Sequence, residues 1–140
     1  MHFEREQLIR FSHCDPAAIV FFPQYFVMFN GLVEDWFDDG LGLGYAKVVV
    51  QRRVGLPTVA LKCEFQIPSR MGERVQLRLS VQRLGRSSIT LELECCHEGE
   101  VRVRLQQVIV TTSLDTGHAI AIPADVRSAI ERFQTEGDRR

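Results

Sequence analysis

In this chain of 140 residues, Asp15 is the residue whose sequence neighbours best suit a catalytic role. Pro16 stiffens the backbone after it, and Pro23 opens a strongly apolar segment. Proline is favoured in the first turn of a helix, because its missing N–H would have no intrahelical partner there. That turn leaves backbone N–H groups unpaired and carries partial positive charge. A carboxylate held beside such a helix start can attack a carbonyl carbon or activate water to do so, while the N–H groups stabilise the oxygen.

The segment that starts at Pro23 has the periodicity of a helix and extends to about Asp39. One apolar stripe of this helix contains Tyr25, Phe29, Leu32, Val33 and Trp36, and further apolar residues outside it are Phe26, Val27 and Phe37. A helix that is apolar on most sides has to be surrounded by other elements. We therefore expect it to lie at the centre of the fold.

Four later segments alternate between apolar and polar residues, which is typical of half-buried strands. They cover residues 59–67, 75–82, 89–95 and 101–110, and residues 2–11 predict an earlier strand. Because the connections are short, we expect consecutive strands to pair antiparallel. In the last segment Arg102 and Arg104 alternate with apolar residues, and a slip in phase at Gln106-Gln107 predicts a bulge there.

These elements predict an α+β fold in which one curled antiparallel sheet of about five strands wraps around the long central helix. A short helix from Pro123 to about Phe133 ends the fold. The chain contains no internal repeat or linker, so we expect a single domain over residues 1–135, followed by a polar tail at 136–140.

Composition excludes several classes of function. The net charge of −1 gives no reason to expect nucleic acid as a partner. No apolar run approaches the roughly 18–20 residues that cross a bilayer, and the N-terminus lacks a signal-peptide pattern, so we expect a cytoplasmic protein without membrane contact. The four cysteines form no CxxC pair, and no metal site is predicted.

The run Asp15-Pro-Ala-Ala-Ile-Val-Phe-Phe-Pro-Gln-Tyr25 resembles the signature of the hotdog-fold acyl-CoA thioesterases, in particular the 4-hydroxybenzoyl-CoA thioesterase family. The resemblance extends through nearly the whole chain, over Gly55-Leu-Pro57, Cys63-Glu-Phe65, Leu84-Gly-Arg-Ser-Ser88 and Ile122-Pro-Ala-Asp125. It implies a hotdog fold and the hydrolysis of an acyl-CoA thioester to a free acid and CoA.

The resemblance also implies roles for individual residues. Asp15 would be the catalytic carboxylate, either as nucleophile or as general base for water. The backbone N–H of Phe22 would stabilise the thioester oxygen, and Tyr25 would line the site. Basic side chains near strand ends, often from a neighbouring subunit, bind the CoA phosphates in such enzymes, and the matching positions nominated here are Arg86, Ser87 and Arg104.

Two positions depart from the family pattern. Ala18 stands where glycine is usual, and Phe22 stands where relatives carry tyrosine or histidine. These departures keep open an alternative, a non-catalytic acyl-thioester-binding protein with the same fold. A hotdog dehydratase or hydratase is disfavoured, because Val20 occupies the place of the histidine in the Asp-x4-His pattern of those enzymes.

An exposed strand edge in a single curled sheet is usually paired or protected. We therefore expect a homo-oligomer, either a homodimer or a homotetramer built from two dimers. Coenzyme A enters as part of the substrate, and no separate cofactor is expected. The residues leave open which acyl group is cleaved, and whether CoA or an acyl carrier protein delivers it.

Overall fold

Five antiparallel strands form the main sheet in the computed structural model, which describes residues 1–138. The strands of the described residues are β1 (Phe3–Leu8), β2 (Val54–Gly55), β3 (Thr58–Phe65), β4 (Arg74–Leu84), β5 (Ser88–His97), β6 (Glu100–Val110) and β7 (Thr112–Ser113). The order in the main sheet is β1-β4-β5-β6-β3, and β2 pairs with β7 in a small separate sheet. The predicted α+β architecture is therefore confirmed.

The central helix, α1, spans Pro23–Asp35 and continues as a wider turn over Trp36–Gly40. Its buried side chains share one apolar core with the inward-facing residues of β4, β5 and β6. Trp36 and Phe37 are completely buried, as a helix with little polar surface requires. The predicted helix from Pro23 to about Asp39 is confirmed, but in the single chain it is not surrounded on all sides, since Val27 is 65% exposed.

The C-terminal helix, α2, spans Ala124–Asp138 and so extends beyond the predicted end at Phe133. The ring of Phe133, on α2, packs edge-on against the ring of Trp36, with 5.5 Å between the ring centroids. This contact attaches α2 to the end of α1. The helix covers residues 136–138 of the segment predicted as a polar tail, and residues 139–140 lie outside the described residues. No helix among the described residues is long and apolar enough to cross a membrane.

The expected pairing of all consecutive strands is wrong for β3 and β4. β3 pairs with β6 at one edge of the sheet, whereas β4 lies between β1 and β5. The segment between β3 and β4, residues 66–73, therefore crosses from one side of the sheet to the other, and we call it the 66–73 loop. Local turn chemistry did not distinguish this crossing from a hairpin.

β3 is also not half-buried as its alternation predicts. Val59, Leu61 and Phe65 are 59%, 47% and 50% exposed in the single chain. The strand lies at the edge of the sheet, with β6 on one side only. One edge of the sheet thus combines free backbone groups with exposed apolar side chains.

The predicted bulge at Gln106-Gln107 is wrong as well. Gln106 and Gln107 pair in regular register with Glu92 and Leu91. The slip in apolar phase arises because Gln107 occupies a buried position, where its amide donates a hydrogen bond to Thr58 Oγ1 at 2.7 Å. The register of β5 and β6 shifts between Cys95 and Cys96 instead, so that the extra residue on β6 is Arg102.

Candidate active site

Asp15 lies in a tight hairpin that leads into α1, formed by residues 13–21 and called the Asp15 hairpin below. Cys14 bridges Val20, the Asp15 amide donates to Ile19 O at 3.0 Å, and the Phe21 amide donates to His13 O at 2.9 Å. These bonds hold the two arms of the hairpin antiparallel. They explain why the Asp-Pro sequence adopts one defined conformation here.

The turn of this hairpin contains Ala18 at φ +61°, in the left-handed region that favours glycine. The Ala18 amide donates to Asp15 O at 2.9 Å, which closes the turn. The departure from the family's glycine therefore keeps the left-handed backbone conformation that glycine adopts most easily. It adds a methyl group to an exposed position.

The Asp15 carboxylate is partly exposed, and its two oxygens differ in their hydrogen bonding. Oδ1 accepts a hydrogen bond from the Ala17 amide at 2.9 Å, the ordinary role of aspartate in such a turn. Oδ2 has no hydrogen-bond partner among the described residues. One oxygen thus orients the carboxylate and the other is accessible for chemistry.

At the start of α1 the Phe22 amide donates a hydrogen bond to no acceptor among residues 1–138. The next amides are paired, because Gln24 donates to Phe21 O at 2.8 Å and Tyr25 donates to Phe22 O at 3.1 Å. Pro23 has no N–H to offer. The donor left over at this helix end is therefore the one that the sequence nominates, the backbone N–H of Phe22.

A groove of about 280 Å³ lies beside this amide. Its walls are formed by Ile19, Val20, Phe22, Tyr25, Phe65, Gln66, Ile67, Pro68 and Val103. The rings of Phe22 and Tyr25 each lie 6.0 Å from the ring of Phe65, so that aromatic surface dominates the groove. Asp15 does not line the groove within one chain, although Ile19, which pairs with it, does.

A second groove, of about 410 Å³, continues along α1 towards its C-terminus. It is bounded by Phe26, Val27, Phe29, Asn30, Thr58, Leu61, Leu105 and Gln107. Both grooves lie between α1 and the edge strand β3, although they share no lining residue, and we refer to the two together as the channel. Its size and surface suit an acyl group.

Tyr25 both lines the first groove and belongs to the buried core. Its ring lines the first groove, while its side chain is only 3% exposed. The hydroxyl accepts a hydrogen bond from the Ser69 amide at 3.2 Å, and burial raises the pKa of the phenol. Tyr25 is therefore neutral at ordinary pH, and it attaches α1 to the 66–73 loop.

Arg86 and Ser87 lie in the turn between β4 and β5, at the far end of the strands from Asp15. The Ile19–Arg70 bridge places the Asp15 hairpin beside the start of β4, and the 11 residues of that strand separate this end from Arg86. At about 3.3 Å per residue the separation is roughly 33 Å. Within one chain, Asp15 and Arg86 therefore do not share a site.

Arg104 lies on the outer face of the sheet, where it pairs with Glu94 at 3.1 Å and with Glu92 at 3.6 Å. The hydrogen bond to Glu94 raises the pKa of the guanidinium. The core-facing neighbours of Arg104 on β6 are Val103 and Leu105, which line the grooves. The sheet thus separates Arg104 from the channel within one chain.

His13 and Cys14, the neighbours of Asp15, are not prepared for catalysis. Burial, followed by the positive charge of Arg10, lowers the pKa of His13, whose Nδ1 accepts the Arg10 amide at 2.9 Å. Burial raises the pKa of the Cys14 thiol, and the adjacent Asp15 adds to that effect. A neutral thiol is a poor nucleophile.

The sequence did not reveal a polar cluster that Ser69 and Glu73 of the 66–73 loop form with His97 on β5 and Arg102 on β6. Glu73 accepts hydrogen bonds from the Arg102 guanidinium at 3.3 Å, and His97 Nε2 lies 3.2 Å from its carboxylate. Alternation places Arg102 on the outer face with Arg104, but the register shift turns its side chain inward, where only 8% of the residue is exposed. No pattern of neighbouring residues in the sequence predicts that register shift.

Among the described residues no group of three or more histidine, cysteine, aspartate or glutamate side chains is arranged to hold a metal ion. Two groups near the start of α1 could take part in chemistry: an unpaired amide on the wall of the channel, and the Asp15 carboxylate, which has one accessible oxygen and lies outside the channel within one chain. Together they can activate water, or attack a carbonyl carbon, and stabilise the negative charge that develops on its oxygen.

Comparison with known proteins identifies the family of the chain. The family model described as the thioesterase-like superfamily matches residues 9–130. A comparison with functionally curated protein sequences gave no significant match.

Among solved structures, a gentisyl-coenzyme A thioesterase is 25% identical, with a TM-score of 0.81 over 91% of this chain and 99% of the other. A 1,4-dihydroxy-2-naphthoyl-CoA thioesterase from Synechocystis is 20% identical, with a TM-score of 0.84 over 93% and 96% of the two chains. A DHNA-CoA thioesterase from Staphylococcus aureus is 18% identical, with a TM-score of 0.87 over 99% and 94%. The latter two likenesses establish the fold. Since the family model spans most of the chain, the protein belongs to the thioesterase-like superfamily and is a thioester hydrolase with the hotdog fold.

Proposed function

We propose that this protein hydrolyses acyl-CoA thioesters, with Asp15 as the catalytic carboxylate and the Phe22 amide as the oxyanion donor. The observation that carries the proposal is the unpaired Phe22 N–H at the start of α1, next to an aromatic groove and to the hairpin that orients Asp15. Loss of one preorganised oxyanion donor typically costs about 10²–10³ in rate, so a single amide is a substantial resource.

Two routes are consistent with this arrangement. In the first, the carboxylate of Asp15 removes a proton from water as the water oxygen attacks the thioester carbon. In the second, the carboxylate oxygen itself attacks, the C–S bond breaks to give an acyl anhydride, and water then hydrolyses the anhydride. In both, the Phe22 N–H stabilises the tetrahedral oxyanion, and CoA leaves as a thiolate that takes up a proton from solvent.

The leaving group explains why so few catalytic groups suffice. An alkyl thiol has a pKa near 8.5, so the thiolate departs without a strong acid to protonate it. The reaction therefore needs neither a complete triad nor a separate cofactor, and CoA is consumed only as part of the substrate.

The channel between α1 and β3 is the proposed acyl site. Phe22, Phe26 and Phe65 surround its entrance with ring-to-ring distances of 6.0–6.5 Å, a surface suited to an aromatic or medium-length acyl group. Two of the structural relatives are named for aromatic substrates, gentisyl-CoA and 1,4-dihydroxy-2-naphthoyl-CoA. We therefore place aromatic acyl-CoAs first among the candidates.

A second copy of the chain is proposed to complete the site. The exposed apolar residues of β3 and its free edge suit pairing with the β3 strand of another copy, as a homodimer or as half of a homotetramer. A two-fold axis at that edge reverses the strand direction. It would bring the partner's turn between β4 and β5 to the end of the sheet that carries Asp15, which is how Arg86 and Ser87 could reach the CoA phosphates.

The test is steady-state hydrolysis of a panel of acyl-CoAs that includes benzoyl-CoA, hydroxylated benzoyl-CoAs, acetyl-CoA and palmitoyl-CoA. We expect turnover of at least one aromatic member and its loss in Asp15→Asn. Equal turnover by the wild type and Asp15→Asn would show that Asp15 is not catalytic. Saturable binding of an acyl-CoA that is never cleaved would instead support the non-catalytic alternative.

A further inference from the structure

The Asp15 hairpin does not hold its position by itself, because it is attached to the 66–73 loop. The Val20 amide donates to Ser69 O at 2.9 Å, and the Met71 amide donates to Ala18 O at 3.0 Å. Both bonds involve the arm of the hairpin that returns from Asp15 to α1. Displacement of the 66–73 loop would therefore displace the Asp15 hairpin with it.

The 66–73 loop is in turn held by Arg102. Its Nη1 donates to Pro68 O at 2.9 Å, and both terminal nitrogens lie 3.3 Å from the oxygens of Glu73, in the two-pronged geometry that suits a guanidinium and a carboxylate. One guanidinium thus joins Pro68 to Glu73 across the loop, while its Nε donates to the more exposed carboxylate of Glu100 at 2.9 Å. The side chains of Arg102 and Glu73 are only 9% and 23% exposed, so solvent screens this pair less than an ion pair on the surface.

Backbone contacts strengthen the same connection. The carbonyl oxygen of Arg102 accepts hydrogen bonds from the amides of Gln66 and Ile67 at 2.9 and 3.2 Å. Glu73 Oε1 also accepts the amide of Arg70 at 2.5 Å, which closes the last turn of the loop. The partial burial of Glu73 opposes its ionisation, yet the hydrogen bonds from Arg102 and from the Arg70 amide keep the pKa of its carboxyl below the usual value. The carboxylate is thus charged at neutral pH, as the pair requires.

The bulge in β6 is the feature that makes this arrangement possible. A regular strand would direct Arg102 to the outer face of the sheet, and the shifted register between Cys95 and Cys96 turns it towards the loop. Bulges commonly redirect a side chain next to a functional site. A polar pair inside the protein is also a poor means of gaining stability alone, because the desolvation of two charges offsets most of their attraction.

We propose that the Arg102–Glu73 pair is a positioning device, which sets the Asp15 hairpin in its reactive position through the 66–73 loop. The proposal rests on the proposed thioesterase activity. Arg102 and Glu73 act through the hairpin and do not contact the reacting atoms. A displacement of about 1 Å at a catalytic group can lower the rate by about 10²-fold, so a loosened hairpin should affect turnover more than substrate affinity.

The first measurement separates kcat from KM for the best acyl-CoA of the panel. We expect Arg102→Met and Glu73→Gln to lower kcat about 10- to 100-fold with little change in KM, and Arg102→Lys to retain more activity than Arg102→Met. The matched control is Asp125→Asn, which removes the carboxylate of a different ion pair, 2.7 Å from Arg52, without contact to the loop. It should leave kcat unchanged.

The second measurement is amide hydrogen exchange, which does not depend on activity. In the wild type the amides of Val20 and Met71 should be protected, and in both variants they should exchange faster while amides of the central strand β5 stay protected. Glu73→Gln keeps a hydrogen-bonding side chain, so this variant serves if Arg102→Met fails to fold.

Three results would overturn the proposal: an unchanged kcat in both variants, a reduced kcat with Val20 and Met71 still protected, or uniform loss of protection across β5 as well. If the wild type cleaves no acyl-CoA, the proposed function fails, and amide exchange alone then decides whether the pair holds the hairpin.

Discussion

The Tyr25 hydroxyl lies 3.2 Å from the backbone nitrogen of Ser69 and accepts its N–H. Tyr25 is on α1, at whose start the proposed oxyanion donor lies, and Ser69 is in the loop to which the Asp15 hairpin is attached. This hydrogen bond therefore links the two parts of the proposed site through a buried contact. It also makes the loop a structural neighbour of the aromatic groove.

The Tyr25→Phe substitution should destabilise the protein. It leaves the buried Ser69 amide without its acceptor, which costs about 1–3 kcal/mol in the free energy of unfolding. Urea denaturation of the wild type and the variant measures that difference. Tyr45→Phe is the matched control, since no described residue bonds to the Tyr45 hydroxyl, and its effect should stay within about 0.5 kcal/mol. Similar losses in the two variants would contradict the role of the Tyr25–Ser69 bond.

The Asp15→Asn substitution should remove activity and preserve the fold. Asparagine keeps a side-chain oxygen to accept the Ala17 amide, so the turn should persist. The loss of the carboxylate should lower kcat by about 10²-fold or more, the usual contribution of a general base or a nucleophile. Stopped-flow or spectrophotometric release of free thiol reports kcat, and thermal unfolding reports the fold. A large drop in the unfolding midpoint would mean that the lost activity says little about chemistry.

The Ala18→Gly substitution should stabilise the protein, although glycine usually destabilises. Ala18 occupies φ +61°, where a side chain costs about 1–2 kcal/mol and glycine avoids the penalty. The greater freedom of glycine in the unfolded chain offsets about 0.4–1 kcal/mol of the gain. Urea denaturation should therefore show a higher midpoint for Ala18→Gly. Ala17→Gly, one residue earlier and without a positive φ, should lower the urea midpoint. A change of the midpoint in the same direction for both variants would contradict the strain at Ala18.

The Glu73 carboxyl should make stability depend on pH in the acid range. Burial raises the pKa of this carboxyl, but the hydrogen bonds from Arg102 and from the Arg70 amide outweigh burial. The pKa in the folded protein therefore lies below the reference value of 4.5. A lowered folded pKa contributes stability above the unfolded pKa, and that contribution is lost as the pH falls through the folded pKa. Glu73→Gln should therefore be less stable than the wild type at pH 7, and the difference should shrink below about pH 4. A difference in unfolding free energy that stays constant from pH 7 to pH 3 would exclude this linkage.

The edge strand β3 should mediate self-association. We expect sedimentation of the 16.0 kDa chain at twice or four times that mass. Leu61→Asp, which charges the exposed apolar face of β3, should shift the protein towards the monomer. Ala60→Asp on the other face of the same strand is the comparison, and it should have the smaller effect. A wild type that sediments only as a monomer would refute the proposed dimer.

Whether a feature of the fold or of the candidate site can be predicted from the sequence depends on how far apart in the chain the interacting residues lie. The start of α1 at Pro23, the strands and the candidate role of Asp15 all follow from proline chemistry, turn residues and periodicity, which act over a few neighbouring residues. A helix start leaves some of its first N–H groups unpaired wherever the helix lies, and the family resemblance implied that the Phe22 amide is the one that acts. These features needed no knowledge of distant parts of the chain.

The tertiary structure alone decided which distant segments meet. That β3 pairs with β6 and exposes its apolar face is a relation between strands, and alternation within one strand cannot encode its neighbour. The inward turn of Arg102 depends on a register shift against β5, and the contact of Arg102 with Glu73 depends on a loop that crosses the sheet. The sequence by itself therefore determined the chemical groups and the local backbone that presents them. Their relative placement arose only when the strands paired and the core closed, because the energy of those contacts exists only between segments that are far apart in the chain.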